Sequence, residues 1–218
     1  MVEHNLRTGS AVVNQLVEER SGSGGPYIDV WSALVQVSDR LTRSDYFVAA
    51  MAILAEDGVA GLTTTRLCDR LEVTRGSLYH HFESGPAFHD ALIEHWEHEL
   101  VPALLAAIDA VEPRARIDLL QHLALHADHD AEKAIRAWAH TNSTVAGALA
   151  RVDAAREDAL ARAFIDVGID STLARTLSRI GFSLLIGAQQ LDDAIDRKRL
   201  EAVLAEYRAW IDHRRTDA

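Results

Sequence analysis

The stretch LTTTRLCDRLEVTRGSLYHHF, Leu62 to Phe82, holds two short helical patterns that meet at a tight turn. Leu67 and Leu71 stand at i and i+4, which puts both on the buried face of a helix predicted from Thr64 to Leu71. Thr63 or Thr64 is suited to cap its start through a hydroxyl oxygen. Past the turn at Glu72 and Val73, Thr74 suits the N-cap of a second helix from Arg75 to Phe82, with Leu78 and Phe82 facing inward. Its opposite face offers Arg75, Gly76, Ser77, Tyr79, His80 and His81. Gly76 weakens the first turn by about 1 kcal/mol relative to Ala, yet it lets the backbone come close to a partner. This is the form of a helix-turn-helix, whose second helix enters the major groove of DNA with its N-terminal residues at the base edges.

Outward from that centre, Phe47, Ala50, Met51 and Leu54 repeat at helical spacing on a first helix predicted from Asp45 to Asp57, with Gly58 placed to end it. After Phe82, the loop Glu83-Ser84-Gly85-Pro86 leads into a helix with Pro86 near its first position. Phe88, Leu92, Trp96 and Leu100 form the buried stripe of this connecting helix.

At these residues the chain resembles the TetR family of transcriptional regulators. The pattern runs through Gly58, Gly61-Leu62-Thr63-Thr64, Leu67-Cys68-Asp69-Arg70-Leu71 and Val73-Thr74-Arg75-Gly76-Ser77-Leu78-Tyr79-His80-His81-Phe82. The ending Leu-Tyr-x-His-Phe is its most specific part. Weaker likeness follows in Arg136-Ala137-Trp138-Ala139 and Val152-Asp153-Ala154-Ala155-Arg156, which are similar to the ligand-binding portion of many members. The resemblance implies backbone or phosphate contacts from Thr64, Thr74, Tyr79 and His81. It implies base-edge or nearby contacts from Thr65, Arg75, Gly76, Ser77 and His80. Two positions depart from the pattern. The turn carries Glu72 where Gly is usual, and a non-Gly residue at positive φ is strained. Gly85 stands where many members have a Lys that reaches a phosphate.

The expected fold is all-α, in three segments. Residues 1–43 form an N-terminal extension with a flexible break from Ser21 to Pro26 and a helix from Tyr27 to Leu41. Residues 44–100 hold the three-helix DNA-binding head and its connecting helix. Residues 101–218 form a helical effector-binding and dimerisation domain. The 218 residues, 48% hydrophobic and 25% charged, suffice for a sizeable core. The single Cys68 excludes an internal disulfide and suits a reducing compartment. No apolar run reaches about 18 residues, and no basic segment followed by an apolar one marks a secretory leader. A cytoplasmic protein with no membrane partner is expected.

A net charge of −11 runs against DNA binding at first sight. Within the head, Arg43, Arg66, Arg70 and Arg75 stand against Asp45, Glu56, Asp57, Asp69, Glu72 and Glu83, a formal charge of −2. Generic affinity comes mainly from neutralised phosphates, so weak non-specific binding is expected. Two heads acting together, with Arg75 and helix N-termini in contact, still suffice for a specific site.

Beyond the head, Pro102 is expected to kink or interrupt the chain. Helices are predicted from Pro113 to about Ala127, over a short segment capped by Asp130, from about Thr144 to Val167 closed by Gly168, from Ser171 to Leu191, and from Arg197 to His213. The last two carry more apolar surface than one subunit can hide, and in the family such helices make a four-helix dimer interface. The resemblance places an effector pocket among these helices, with Trp96, Leu100, Leu123, His126, Trp138, Phe164 and Phe182 as candidate walls. Each of these also reads as plain core. A mostly apolar lining favours a hydrophobic or aromatic small molecule.

His122, His126 and His129 fall at i, i+4 and i+7, a spacing that serves a metal sensor or simply a solvated helix end. The Asp128 to Asp130 break opposes the metal reading, and no cofactor is expected. Catalysis finds no motif: there is no Gly-x-Ser-x-Gly turn and no phosphate-cradling loop. The reading is a homodimeric, ligand-responsive regulator, a repressor on a palindromic double-stranded DNA operator. Its rival is a helical ligand-binding or protein-interaction dimer with a degenerate head, suggested by Glu72, Gly85 and the acidic charge.

Overall fold

A computed structural model describes residues 41–192 and 194–216, and among them every regular element is helical. In chain order these are α1 (Arg43–Gly61), α2 (Thr64–Arg70), α3 (Arg75–His81), α4 (Gly85–His95), a π-helical segment (Trp96–Leu100), α5 (Val101–Asp109), α6 (Pro113–His126), α7 (His129–Ala139), α8 (Ser143–Asp166), α9 (Ser171–Leu191) and α10 (Arg197–Thr216). Two compact units divide between Ala107 and Ile108. The flexible break and, but for Leu41, the helix expected from Tyr27 lie outside the described residues.

The first unit is built by local signals. Thr42 and Asp45 form a capping box, in which the Asp45 carboxylate accepts from the Thr42 amide at 2.6 Å and its hydroxyl at 2.7 Å. Gly58 at φ 64°, ψ −166° breaks the helical path of α1 before a last turn to Gly61, a conformation open to glycine because it has no Cβ. Thr63, rather than Thr64, caps α2 by accepting from the Arg66 amide. Thr74 caps α3 and Ser84 caps α4 in the same way.

The turn between α2 and α3 closes as a Schellman motif. The Val73 amide donates to the Cys68 carbonyl at 3.0 Å and the Glu72 amide to the Asp69 carbonyl at 3.2 Å. Its left-handed position is Glu72, at φ 54°. An L side chain there costs roughly 1–2 kcal/mol. Glu72→Gly is therefore expected to raise the Tm by about 2–8 °C in a calorimetric or circular-dichroism melt, and an unchanged Tm would show that the strain is absorbed elsewhere.

The head closes over an aromatic core. Phe82 meets Phe88 edge-on at 4.9 Å and Phe47 at 5.6 Å, while His95 stacks on Phe47 at 4.6 Å. Leu54, Leu67, Leu78 and Leu92 are buried around them; each such side chain contributes about 1.5–3 kcal/mol relative to exposure. Leu71, expected inside, is only half-buried. Pro102, expected to kink or interrupt the chain, follows a π-helical interruption of the α-helical run. The widened π turn ahead of it, where the Val101 amide reaches back to the Trp96 carbonyl, absorbs the missing amide and the ring's bulk.

In the second unit α8 packs between α7, α9 and α6, and α10 lies against α9 and α6. Ile117, Phe164, Ile169, Leu177 and Ile211 form its core with Tyr207 packed at the edge. Gly181 permits the close approach, since a Cβ there would meet the Tyr207 ring at 2.9 Å. Gly168, at φ 91°, terminates α8. The expected cap at Asp130 is instead Asp128, whose carboxylate accepts from the Ala131 amide at 3.1 Å. That shift by two residues starts α7 at His129 and turns its imidazole inward.

Candidate nucleic-acid interface

The exposed end of the head is formed by α2 and α3. Thr74 holds the first turn of α3 open to solvent, with Arg75, Gly76, Tyr79 and His80 exposed. Tyr79 is 48% exposed, an amphipathic ring with no core to fill. Arg75 donates from Nη2 to the Thr65 hydroxyl of α2 at 2.7 Å. The bond places Thr65 and the guanidinium side by side without consuming the charge. A Cβ on Gly76 would meet only the Thr74 hydroxyl, at 3.6 Å, so the gap at this surface is room for a partner rather than an internal packing need.

Ser77 and His81, one turn apart on α3, lie on its flank and are half-buried. The Ser77 hydroxyl shares a hydrogen bond with the Tyr46 hydroxyl at 2.9 Å, and the His81 ring lies 5.2 Å from the Tyr46 ring. Thr64 opens α2 half-buried, and a Cβ on Gly85 would meet its hydroxyl at 3.7 Å, an ordinary contact.

The charges sort themselves in a way periodicity does not reveal. Arg70 bonds both oxygens of Glu56 at 2.8 Å, and Arg66 pairs with Glu56 and with Asp57. Arg70 foremost, aided by Arg66, holds the Glu56 carboxyl below its ordinary range against the opposing pull of desolvation. Arg43 lies over the Phe82 ring at 4.5 Å and donates to the His81 carbonyl at 3.0 Å, securing the end of α3. Arg75 makes no ion pair among the described residues, so the one cation at the leading end of α3 keeps its charge for a partner. Cys68 is buried, and desolvation pushes its thiol up, which opposes a nucleophilic role.

Arg43 and Tyr46 were missed as positioning residues. Their only advance signal is position, Arg43 one turn ahead of Phe47 and Tyr46 next to it, and their partners lie far along the chain.

The candidate effector residues are distributed over five helical elements. Trp96 and Leu100 lie in the π segment of the first unit, Trp96 fully buried. Phe164 sits in the core cluster of the second unit. Trp138 is buried on α7, and Leu123, His126 and Phe182 are half-buried on α6 and α9. The histidine face expected across residues 122 to 129 is divided between helices. His122 and His126 lie on α6 with their rings tilted and centroids 4.2 Å apart, while His129 belongs to α7 and meets Gln189 at 3.2 Å. Among the described residues no group of three or more His, Cys, Asp and Glu is arranged for a metal ion.

The second unit holds a buried polar cluster that no motif announced. Glu132 is joined to Arg156 at 2.6 Å and to the Gln189 amide at 3.0 Å. Beside it Arg136 makes a two-bond pair with Asp153 at 2.7 and 2.8 Å. The four charged residues occupy i, i+4 on α7 and i, i+3 on α8, a spacing visible in the sequence only once the two helices are known to face each other.

Comparison with known proteins follows the same division. The family pattern of the bacterial regulatory proteins, tetR family, matches residues 47–84. The tetracycline repressor protein class C of Escherichia coli is 41% identical over 56 residues; the match spans 26% of this chain and 26% of that protein's length. Among solved structures, one described as a TetR-family transcriptional regulator from Rhodococcus sp. superposes with a TM-score of 0.60 at 18% identity, covering 76% of this chain and 95% of that one. A TetR transcription regulator from Haloarcula marismortui gives 0.58, at 18% identity with the same coverage. At that identity the solved structures speak to the fold, which extends the likeness past the head into the second unit. The head thus carries the pattern of the bacterial regulatory proteins, tetR family, over residues 47–84, and the chain as a whole is similar in fold to solved TetR-family regulators.

Proposed function

We propose that the chain is a homodimeric, ligand-responsive repressor that acts in the cytoplasm without catalysis, binds a palindromic operator and is released when a small molecule occupies its helical second unit. The observation that carries the reading is the leading end of α3. There Arg75, Gly76, Tyr79 and His80 are exposed beside Thr65, and among the described residues Arg75 makes no ion pair while Arg66 and Arg70 do. In this reading Thr65, Arg75, Gly76, Ser77 and His80 face the base edges. Thr64, Thr74, Tyr79 and His81 face the backbone. Because two head arginines are neutralised, affinity rests on few phosphate contacts and its salt dependence is shallow.

The dimer is supported by a stripe on α9. Leu173 and Ile180 are exposed seven residues apart, and Gly187, seven further, has nothing within 4 Å of a built Cβ. On α10, Val203 and Trp210 repeat the same spacing and are likewise exposed. A second copy covering these faces would make a two-fold four-helix contact and present two recognition helices to half-sites. Release then follows from population shift: a ligand lowers operator affinity only by its preference for the head spacing unfit for DNA.

Anisotropy titration with DNA flanking the chain's own gene tests the reading. Arg75→Ala is expected to weaken binding by about 1–3 kcal/mol per half-site and to flatten the salt slope if the contact is to phosphate. Binding unchanged by Arg75→Ala and Tyr79→Ala would overturn the named contacts. A second reading, a ligand-binding or protein-interaction dimer with a degenerate head, is favoured by the Glu56 and Asp57 clamps on Arg66 and Arg70. That alternative requires no sequence-selective DNA binding by the wild-type protein at any salt concentration.

A further inference from the structure

We infer that Thr65 is a positioning residue of the recognition surface, whose hydroxyl holds the Arg75 guanidinium as a fixed fork with one edge free to read a guanine in each half-site. The inference rests on the operator-binding reading proposed above and adds the base that is read and the residue that orients its reader.

Thr65 and Arg75 stand ten residues apart on different helices. The turn between those helices decides that they meet. The Val73 amide bonds the Cys68 carbonyl at 3.0 Å, and Leu67 and Leu78 are buried on either side of the turn, so α2 and α3 are held in one arrangement. In it Arg75 Nη2 donates to the Thr65 hydroxyl at 2.7 Å. Among the described residues this is the only hydrogen bond of the guanidinium, and neither Asp69 of α2 nor Glu72 of the turn forms an ion pair with it. Thr65 makes a firm post, because a β-branched side chain is stiff at χ1.

A guanidinium carries five N–H groups in a fixed plane. Two of them belong to Nη2, one on the edge shared with Nε and one on the edge shared with Nη1. Whichever of these Thr65 takes, the other edge keeps a pair of parallel donors. Such a pair calls for two neighbouring acceptors, and in the major groove guanine is the one base that presents both, at N7 and O6. Adenine sets a donor beside its N7, cytosine offers a donor, and thymine has a methyl group near its single acceptor. A phosphate also accepts from this fork, but it is met by charge from many side-chain positions and needs no post. Holding the side chain before the encounter removes part of the ordering cost that a long, flexible arginine carries into a complex. Gly76 keeps the approach clear, since a built Cβ there meets only the Thr74 hydroxyl at 3.6 Å.

The probe is a duplex selected by the full chain from a pool with a randomised centre, and anisotropy gives its affinity before and after changes to one half-site. At one guanine of that half-site, replacement by adenine should weaken binding by about 5–150-fold. Deazaguanine, which lacks N7, should weaken it as well, whereas inosine, which keeps N7 and O6, should not. Arg75→Ala should abolish this preference. Thr65→Val, of the same shape without the hydroxyl, should lower it by about 2–10-fold, and Thr65→Ser should keep most of it. Thr65 is exposed, so neither substitution touches the core, and circular dichroism checks each variant. The base-analogue measurements need no variant at all. A selected duplex with no Arg75-dependent guanine, Arg75→Ala weakening the guanine and adenine duplexes alike as a phosphate contact would, Thr65→Val discriminating as well as the unsubstituted protein, or Thr65→Ser as impaired as Thr65→Val would overturn the inference. A selection that returns no preferred sequence fails the regulator reading and this inference together, whereas a preferred sequence without an Arg75-dependent guanine fails this inference alone.

Discussion

Ile180→Glu is expected to leave the helices intact, move the protein to the mass of a monomer in sedimentation, and lower operator affinity by about 10²–10⁴-fold. Ile180 is 38% exposed on α9, in line with Leu173 and with Gly187 on the same helical stripe. In the isolated subunit a glutamate there stays in water, so the fold loses little. In a two-fold dimer the same substitution occurs twice and near the axis of contact. Each carboxylate would be stripped of water with no cation to meet it, a cost of several kcal/mol per site. DNA binding follows the dimer, because the second head finds its half-site at the high effective concentration set by the first. Sedimentation, circular dichroism and anisotropy on one preparation distinguish the cases. A dimer that persists would put the interface elsewhere, and a monomer that retains operator affinity would remove the paired-head mechanism.

Glu132→Ala is expected to destabilise the second unit by about 1–3 kcal/mol, because it removes a buried carboxylate that pairs with the half-buried Arg156 and accepts from the Gln189 amide. The 2.6 Å pair with Arg156 and the 3.0 Å bond from Gln189 are lost together. Glu132→Ala combined with Arg156→Leu should recover part of the loss, since an apolar pair carries no desolvation penalty. A denaturant titration of the single and double variants measures this, and a double variant no better than the single one would show that the partners act independently.

The same group sets the acid response. Desolvation pushes the Glu132 carboxyl up, but Arg156, the Gln189 amide and Arg136 outweigh it and leave the carboxyl below its ordinary value of 4.5. A depressed carboxyl contributes stability that is complete above the unfolded value and is lost as pH falls through the folded one. His95 and His129 follow the same sign at higher pH, since burial foremost lowers both from 6.5. Stability should therefore begin to fall below about pH 6.5 as the unfolded chain takes up protons first, and fall further below about 4.5. Glu132→Gln should flatten the lower part of that curve and leave the upper part.

What the sequence determined by itself was the chain of local decisions. The cap at Thr74, Pro86 at the start of α4, the glycine stops at Gly58 and Gly168, and apolar residues at i and i+4 place the helices because each acts within about one turn. Even the strained turn was legible, since Glu72 occupies a position that the fold bends to φ 54°. The recognition surface could be named for the same reason: on a helix of known start, exposure follows from spacing.

Tertiary structure alone decided which partners the polar groups found. Arg70 meets Glu56 across 14 residues, Arg43 meets His81 across 38, and Gln189 meets Glu132 across 57. No periodicity encodes such pairs, because a long side chain reaches several neighbours and the packing of helices chooses among them. Moving the α7 cap from Asp130 to Asp128 was enough to turn His129 from a supposed surface face toward Gln189. Helix positions follow from short-range sterics and hydrogen bonding, whereas the charge left at Arg75 and the bond between Gln189 and Glu132 depend on how whole helices meet.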